Sequence, residues 1–138
     1  QVYDAATKTL QSHDSGGIGQ GARLMKASAA LRLNKPQEAV SAYEAYLEGN
    51  HPEDNLPVVH YGLATAYGTI GQLEKALNHY DTLAEASDKY ETLAKYQKAV
   101  LLQEQGENER ARKIYEKMLE NNPDNNYKQD IERRLALM

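Results

Sequence analysis

Residues 56–86 read LPVVHYGLATAYGTIGQLEKALNHYDTLAEA, and this stretch decides the fold. The inner face of a first helix is expected to carry Gly62, Leu63, Ala64 and Tyr67. Gly71 ends that helix, because glycine adopts the left-handed cap conformation at low cost. In the second helix Ala76, Tyr80 and Leu83 lie at i, i+4 and i+7 and therefore share one face. The stretch predicts a helix–turn–helix hairpin.

The pattern of the second helix occurs three times, at intervals of about 35 residues, which is the spacing of a helical repeat. Each copy has an Ala followed four residues later by a Tyr. The pairs are Ala39 and Tyr43, Ala76 and Tyr80, and Ala111 and Tyr115. Three residues after each Tyr comes an apolar or aromatic residue: Tyr46, Leu83 and Met118. Five residues before each Ala stands Asn34, Gly71 or Gly106, the two residue types that favour a left-handed helix cap.

The first helices of the three hairpins share a small residue seven positions before each cap. These residues are Ala27, Ala64 and Ala99, which allow the two helices of a hairpin to approach closely. Lys26 and Lys98 precede two of them at a position that should face the core. We expect each lysine stem to pack there while its ammonium group reaches water.

This pattern resembles the tetratricopeptide repeat, a helix–turn–helix unit of about 34 residues. The best match is Gly62, Leu63, Ala64, Tyr67, Gly71, Ala76, Tyr80 and Leu83. The resemblance covers about residues 20–123. Arg23, His60 and Lys95 stand where the family usually has Trp, so the outer packing should be more polar than usual. The resemblance implies an all-α fold, a right-handed α-solenoid of antiparallel hairpins with flanking helices.

We expect a single repeat domain over residues 1–138. Its predicted parts are an N-terminal helix at 1–12, hairpins at 22–49, 57–86 and 89–121, and a C-terminal capping helix at 126–138. Helix 1–12 is either the tail of an upstream hairpin or an ordinary cap. The glycine-rich residues 13–21 are predicted to be a flexible linker, because no strand precedes them and no Gly-Lys-Ser/Thr follows, as a phosphate loop requires.

Composition excludes several function classes. Lys plus Arg is 16, Asp plus Glu is 20, and the net charge is −4 without a basic cluster, which argues against nucleic-acid binding. No apolar run approaches the roughly 18 residues of a membrane span. The chain has no Cys and therefore no disulfide or thiolate chemistry.

No constellation of residues indicates catalysis, a metal or a cofactor. The histidines are His13, His51, His60 and His79, and none forms an i, i+4 metal-binding pair. His60 and His79 lie on two helices of one hairpin and could approach each other, and we expect them to have a packing role. Residues 124–126 lack the Gly and Glu of a calcium loop. We therefore predict a protein that is not an enzyme.

The resemblance implies that the first helices line a concave groove that holds a peptide or protein partner. By register, the groove residues are Leu24, Ser28, Tyr61, Thr65, Tyr96, Val100 and Gln103. Tyr is typical of recognition surfaces. The alternative is that Tyr61 and Tyr96 only fill space between neighbouring helices. The Lys, Asn and Arg set with which some family members grip chaperone C-termini is missing from these positions.

Two functions remain open. The first is a non-catalytic interaction module, similar to bacterial cell-envelope repeat proteins that assist secretion or outer-membrane upkeep, which would place the chain in the periplasm or on a membrane anchor. The second is a scaffold for self-association or a spacer within a larger protein. Since the sequence begins at Gln1 rather than Met, we expect it to be processed or part of a longer protein.

Overall fold

The computed structural model describes residues 3–6, 16–121 and 124–138, and those residues contain helices and no strand. The helices are α1 (Gly16–Arg32), α2 (Pro36–Glu48), a 3-10 turn (Glu53–Asn55), α3 (Leu56–Thr69), α4 (Leu73–Ala86), α5 (Asp88–Glu104), α6 (Asn108–Glu120) and α7 (Asn125–Ala136). This confirms the all-α class. Residues 3–6 of the predicted N-terminal helix are helical, and the rest of that prediction lies outside the described residues.

All three predicted caps adopt the left-handed conformation. The φ angles are 56° at Asn34, 82° at Gly71 and 81° at Gly106. Each cap carries the same pair of backbone bonds, shown at Asn34 by Lys35 N–H to Ala30 C=O at 2.8 Å and Asn34 N–H to Leu31 C=O at 3.1 Å. This is a Schellman motif, which satisfies the last carbonyls of a helix. The turn residues therefore end α1, α3 and α5 by one mechanism.

The predicted inner faces are buried. The first-helix alanines Ala27, Ala64 and Ala99 are fully buried, as are the second-helix alanines Ala39, Ala76 and Ala111. The tyrosines that follow the second-helix alanines are at most 5% exposed. The Lys98 side chain is half-buried, and its Nζ lies 2.6 Å from Asp81 Oδ1 in an ion pair that the sequence did not predict. The Lys26 ammonium lies 5.6 Å from the centroid of the Tyr3 ring.

Contacts divide the chain into two compact units, one ending at His79 and one beginning at Tyr80, so that the boundary falls within α4. In the first unit α1 packs on α2, and α3 packs on both. In the second unit α5 packs on α6, and α6 packs on α7. The single domain over residues 1–138 stays a prediction.

The predicted flexible linker is wrong from residue 16 onward, because α1 already begins at Gly16. Gln20, inside this stretch, is only 6% exposed. Its side-chain amide donates to Tyr46 C=O at 2.8 Å and to Asn50 C=O at 2.9 Å. Arg23 donates to its Oε1 at 2.8 Å. Gln20 thus satisfies carbonyls at the end of α2, a location where buried polar groups need partners.

We expect Gln20→Glu to lower the free energy of unfolding by about 1–3 kcal/mol, because a carboxylate of the same shape cannot donate to the two carbonyls. Gln129, exposed on α7, supplies the matched control: Gln129→Glu should change stability by less than about 0.5 kcal/mol. Urea unfolding of the three proteins measures both effects. Equal stabilities for the two variants would refute the capping role of Gln20.

Candidate functional site

Four predicted groove residues belong to the first unit, with Leu24 and Ser28 on α1 and Tyr61 and Thr65 on α3. Thr65 is exposed and the other three are half-buried. The Thr65 hydroxyl donates to Tyr61 C=O at 3.0 Å, one turn earlier in the same helix. The helix therefore uses that proton, and the hydroxyl of this exposed residue retains lone pairs that can accept a hydrogen bond.

Ser28 contacts a residue that the register did not place at this surface. Its Oγ lies 3.4 Å from the Tyr43 hydroxyl. The Tyr43 ring, 2% exposed, reaches this point past Gly62, where an added Cβ would stand 2.4 Å from Tyr43 Cζ. Burial raises the pKa of Tyr43, against the opposing effects of Ser28 and Arg32. The Tyr43 phenol is therefore neutral at physiological pH. The glycine at 62 is the sequence signal for the close approach of its ring to α3.

The other three predicted groove residues, Tyr96, Val100 and Gln103, are half-buried on α5 of the second unit. The Tyr96 hydroxyl donates to Asp130 and accepts from Arg134 Nε at 3.1 Å. Gln103 Oε1 accepts from Tyr115 at 3.1 Å and from Arg134 at 3.2 Å. Two of the three side chains are thus engaged by α7. The sequence pattern predicted neither Asp130 nor Arg134 as a contact of these side chains.

The acidic residue of this network is held in its ionised form. Partial burial opposes the ionisation of Asp130, but the hydrogen bonds and charges of Arg134 and Arg133 outweigh burial and lower its pKa. The Arg134 guanidinium lies 5.8 Å from the Tyr96 ring centroid, within cation–π range. The arrangement joins α5 to α7 through charged and aromatic groups that stay paired at physiological pH. Whether the seven predicted residues form one groove stays a prediction.

The second unit also has an open cleft of about 260 Å³ lined by α4, α5 and α6 residues. Ile114, Met118 and Ala84 supply its apolar part. Lys95 and Lys98 at its side are paired with Glu91 and Asp81, each at 2.6 Å. The charges of Lys95 and Lys98 already have partners, and Glu85 and Lys117 also line the cleft. The cleft therefore offers an apolar patch bordered by charged groups of both signs.

In residues 3–6, 16–121 and 124–138, no group of three or more His, Cys, Asp or Glu side chains is placed to hold a metal ion. Within that part of the chain no helix is both long and apolar enough for a membrane span.

Comparison with known families identifies the repeat. Residues 57–125 match the family described as YpiA-like, C-terminal tetratricopeptide repeats. Residues 22–57 match a second family, described as tetratricopeptide repeat. No curated protein shows significant similarity to the chain. The first match spans half of the chain, and it includes the hairpin of α3 and α4 with the Gly71 cap. The chain belongs to the tetratricopeptide repeat family.

Proposed function

We propose that this chain is a non-catalytic protein–protein interaction module whose first unit holds a peptide or protein partner along α1 and α3. The family supports a role in protein binding, since its repeats serve generally as scaffolds. The observation that carries the proposal is a stripe on α3. Val58, Tyr61 and Thr65 lie at i, i+3 and i+7, hence along one face, and Val58 leaves 52% of its surface exposed.

The chemistry of this stripe favours a partner with apolar side chains and a few hydrogen-bond donors. Within the stripe, Val58 supplies apolar surface, Tyr61 a partly exposed ring and Thr65 a hydroxyl acceptor. Leu24 of α1 adds further apolar surface. Aromatic and apolar residues at the centre of a patch with polar groups beside them are the usual anatomy of a protein interface. Tyr96 and Gln103 do not enter this proposal as primary contacts, because α7 engages both.

We expect Val58→Glu to weaken partner binding at least tenfold, since a buried unpaired carboxylate at an interface is strongly unfavourable. Leu33→Glu is the matched control. Leu33 is 56% exposed. It directly follows α1, nine positions after Leu24, and at 100° per residue it points to the opposite side of the helix from Leu24. Wild type and both variants, their folding checked by circular dichroism, would be used to capture partners from source-cell extract. A protein retained equally by all three would show that the α1–α3 face is not the binding surface.

The second candidate function is self-association or a spacer role within a larger protein. Sedimentation at several concentrations distinguishes it, because a monomer at every concentration contradicts self-association.

A bacterial envelope location, in the periplasm or on a membrane anchor, is the setting we propose for the first function. Fractionation of source cells with an antibody against this chain tests that location.

A further inference from the structure

Two histidines of the first unit meet nearly head-on. Nδ1 of His60 on α3 lies 3.0 Å from Nδ1 of His79 on α4. The ring centroids are 5.2 Å apart and the ring planes differ by 29°. The centroid separation exceeds the nitrogen separation by about twice the ring radius, so each Nδ1 points along the line that joins the rings. One ring therefore donates a hydrogen bond to the other, and only one proton can lie between the two Nδ1 atoms.

The surroundings fix both rings. The Tyr67 ring lies parallel to His79, with an interplanar angle of 9° and centroids 5.6 Å apart. Glu44 of α2 places Oε1 4.0 Å from His79 Nε2 and accepts a hydrogen bond from the Tyr67 hydroxyl at 2.9 Å. Lys75 of α4 stands 5.4 Å from the Tyr67 ring centroid. The charged and titratable groups facing the pair are thus Glu44 from α2, Tyr67 from α3, Lys75 from α4, and His51 from the segment after α2.

Both rings are held in the neutral form near pH 7. Burial lowers the pKa of His60, and the charges of His79 and His51 lower it further against the opposing effect of Glu44. Burial also lowers the pKa of His79, again opposed by Glu44. Because Glu44 stands on the His79 side, we expect the first added proton to reside mainly on His79. The Glu44 charge also favours a second proton, on His60, but burial and the charge of His79 outweigh it.

We propose that the His60–His79 pair is an acid-sensitive hydrogen-bonded link between α3 and α4. With no more than one added proton, the Nδ1–H···Nδ1 hydrogen bond ties the N-terminal half of α4 to α3. When both rings carry two protons, two N–H groups face each other, the bond is lost, and like charges repel. Acid therefore loosens this hairpin of the first unit, while its left-handed Gly71 turn and its apolar contacts are unaffected by pH.

The sign of the pH dependence follows from the lowered pKa values. In the unfolded chain the histidine pKa is the ordinary value near 6.5. As the pH falls, the unfolded chain therefore takes up protons at a higher pH than the folded pair does. Stability is therefore fully present above about pH 6.5 and falls as the pH drops toward the folded pKa values. The folding equilibrium constant should decrease by up to tenfold per pH unit for each proton taken up only on unfolding.

The test measures urea unfolding of the full chain between pH 8 and pH 5, together with NMR titration of the histidine ring signals. In the wild type we expect His60 and His79 to titrate as a coupled pair, below the ordinary histidine pKa near 6.5. Glu44→Gln keeps an acceptor for Tyr67 but removes the charge that favours protonated His79, so it should steepen the loss of stability in acid. His60→Leu/His79→Leu should flatten the loss, and His51→Gln should reduce it only slightly, because His51 is the smallest of the charges that act on His60.

Each of three results would contradict the proposal that the His60–His79 pair links α3 to α4 in an acid-sensitive way. The His60 and His79 signals could titrate independently at ordinary values, which needs no variant to observe. Glu44→Gln could leave the pH profile as it is in the wild type. His51→Gln could abolish the acid response, which would assign it to a histidine outside the pair.

Discussion

Gly62→Ala should lower the free energy of unfolding by about 1–3 kcal/mol, although alanine is the better helix former by roughly 1 kcal/mol. The added Cβ would lie 2.4 Å from Tyr43 Cζ and 2.6 Å from its hydroxyl oxygen. Real Cβ atoms do not approach so closely, so either the ring or α3 must move. The Tyr43 ring is 2% exposed and is enclosed in a close-packed interior, which makes that movement unfavourable.

Gly21 provides a control with the opposite expected sign. It lies inside α1, it is exposed, and a Cβ there meets nothing within 4 Å. Gly21→Ala should therefore stabilise the chain by about 0.5–1 kcal/mol through helix propensity alone. Urea unfolding of both variants gives the comparison. In the Tyr43→Leu background, where the smaller side chain leaves room for the added Cβ, Gly62→Ala should lower the free energy of unfolding by less than it does in the wild type. Stabilisation by both alanines would mean that Tyr43 does not restrain α3.

The features that could be predicted from the sequence are local ones. Asn34, Gly71 and Gly106 fall at fixed offsets before a recurring Ala, and all three have positive φ angles. The offset is informative because a left-handed cap and the following helix start involve residues only a few positions apart. Burial of Ala39, Ala76 and the tyrosines after them follows from helical periodicity in the same way.

The features that could not be predicted depend on partners far along the chain. Residues 16–21 have the composition of a linker, yet Gln20 bonds to carbonyls 26 and 30 residues away. No local pattern distinguishes that glutamine from an exposed one. At the candidate site, register placed Tyr96 and Gln103 on the inner wall. It could not show that Arg134, 38 residues beyond Tyr96, would contact both.

Ile131→Ala should lower the free energy of unfolding by about 2–5 kcal/mol, the usual range for removing a buried aliphatic side chain and leaving a cavity. Ile131 is fully buried in α7, which packs on α6. Its neighbour Glu132 is exposed, so Glu132→Ala should alter stability by less than about 0.5 kcal/mol. Hydrogen exchange should show the amides of α7 losing protection in Ile131→Ala only.

The comparison of Ile131→Ala with Arg134→Met separates the two forces that hold α7. The Arg134 and Asp130 side chains are 30% and 20% exposed, and partly exposed ion pairs contribute little because water competes for both partners. Arg134→Met should therefore cost about 1 kcal/mol, well below Ile131→Ala. An equal cost would show that the network around Tyr96 and Gln103 anchors the helix. In that case Tyr96 and Gln103 would be able to contact a partner only if α7 detached. Partner binding would then be restricted to the α1–α3 face.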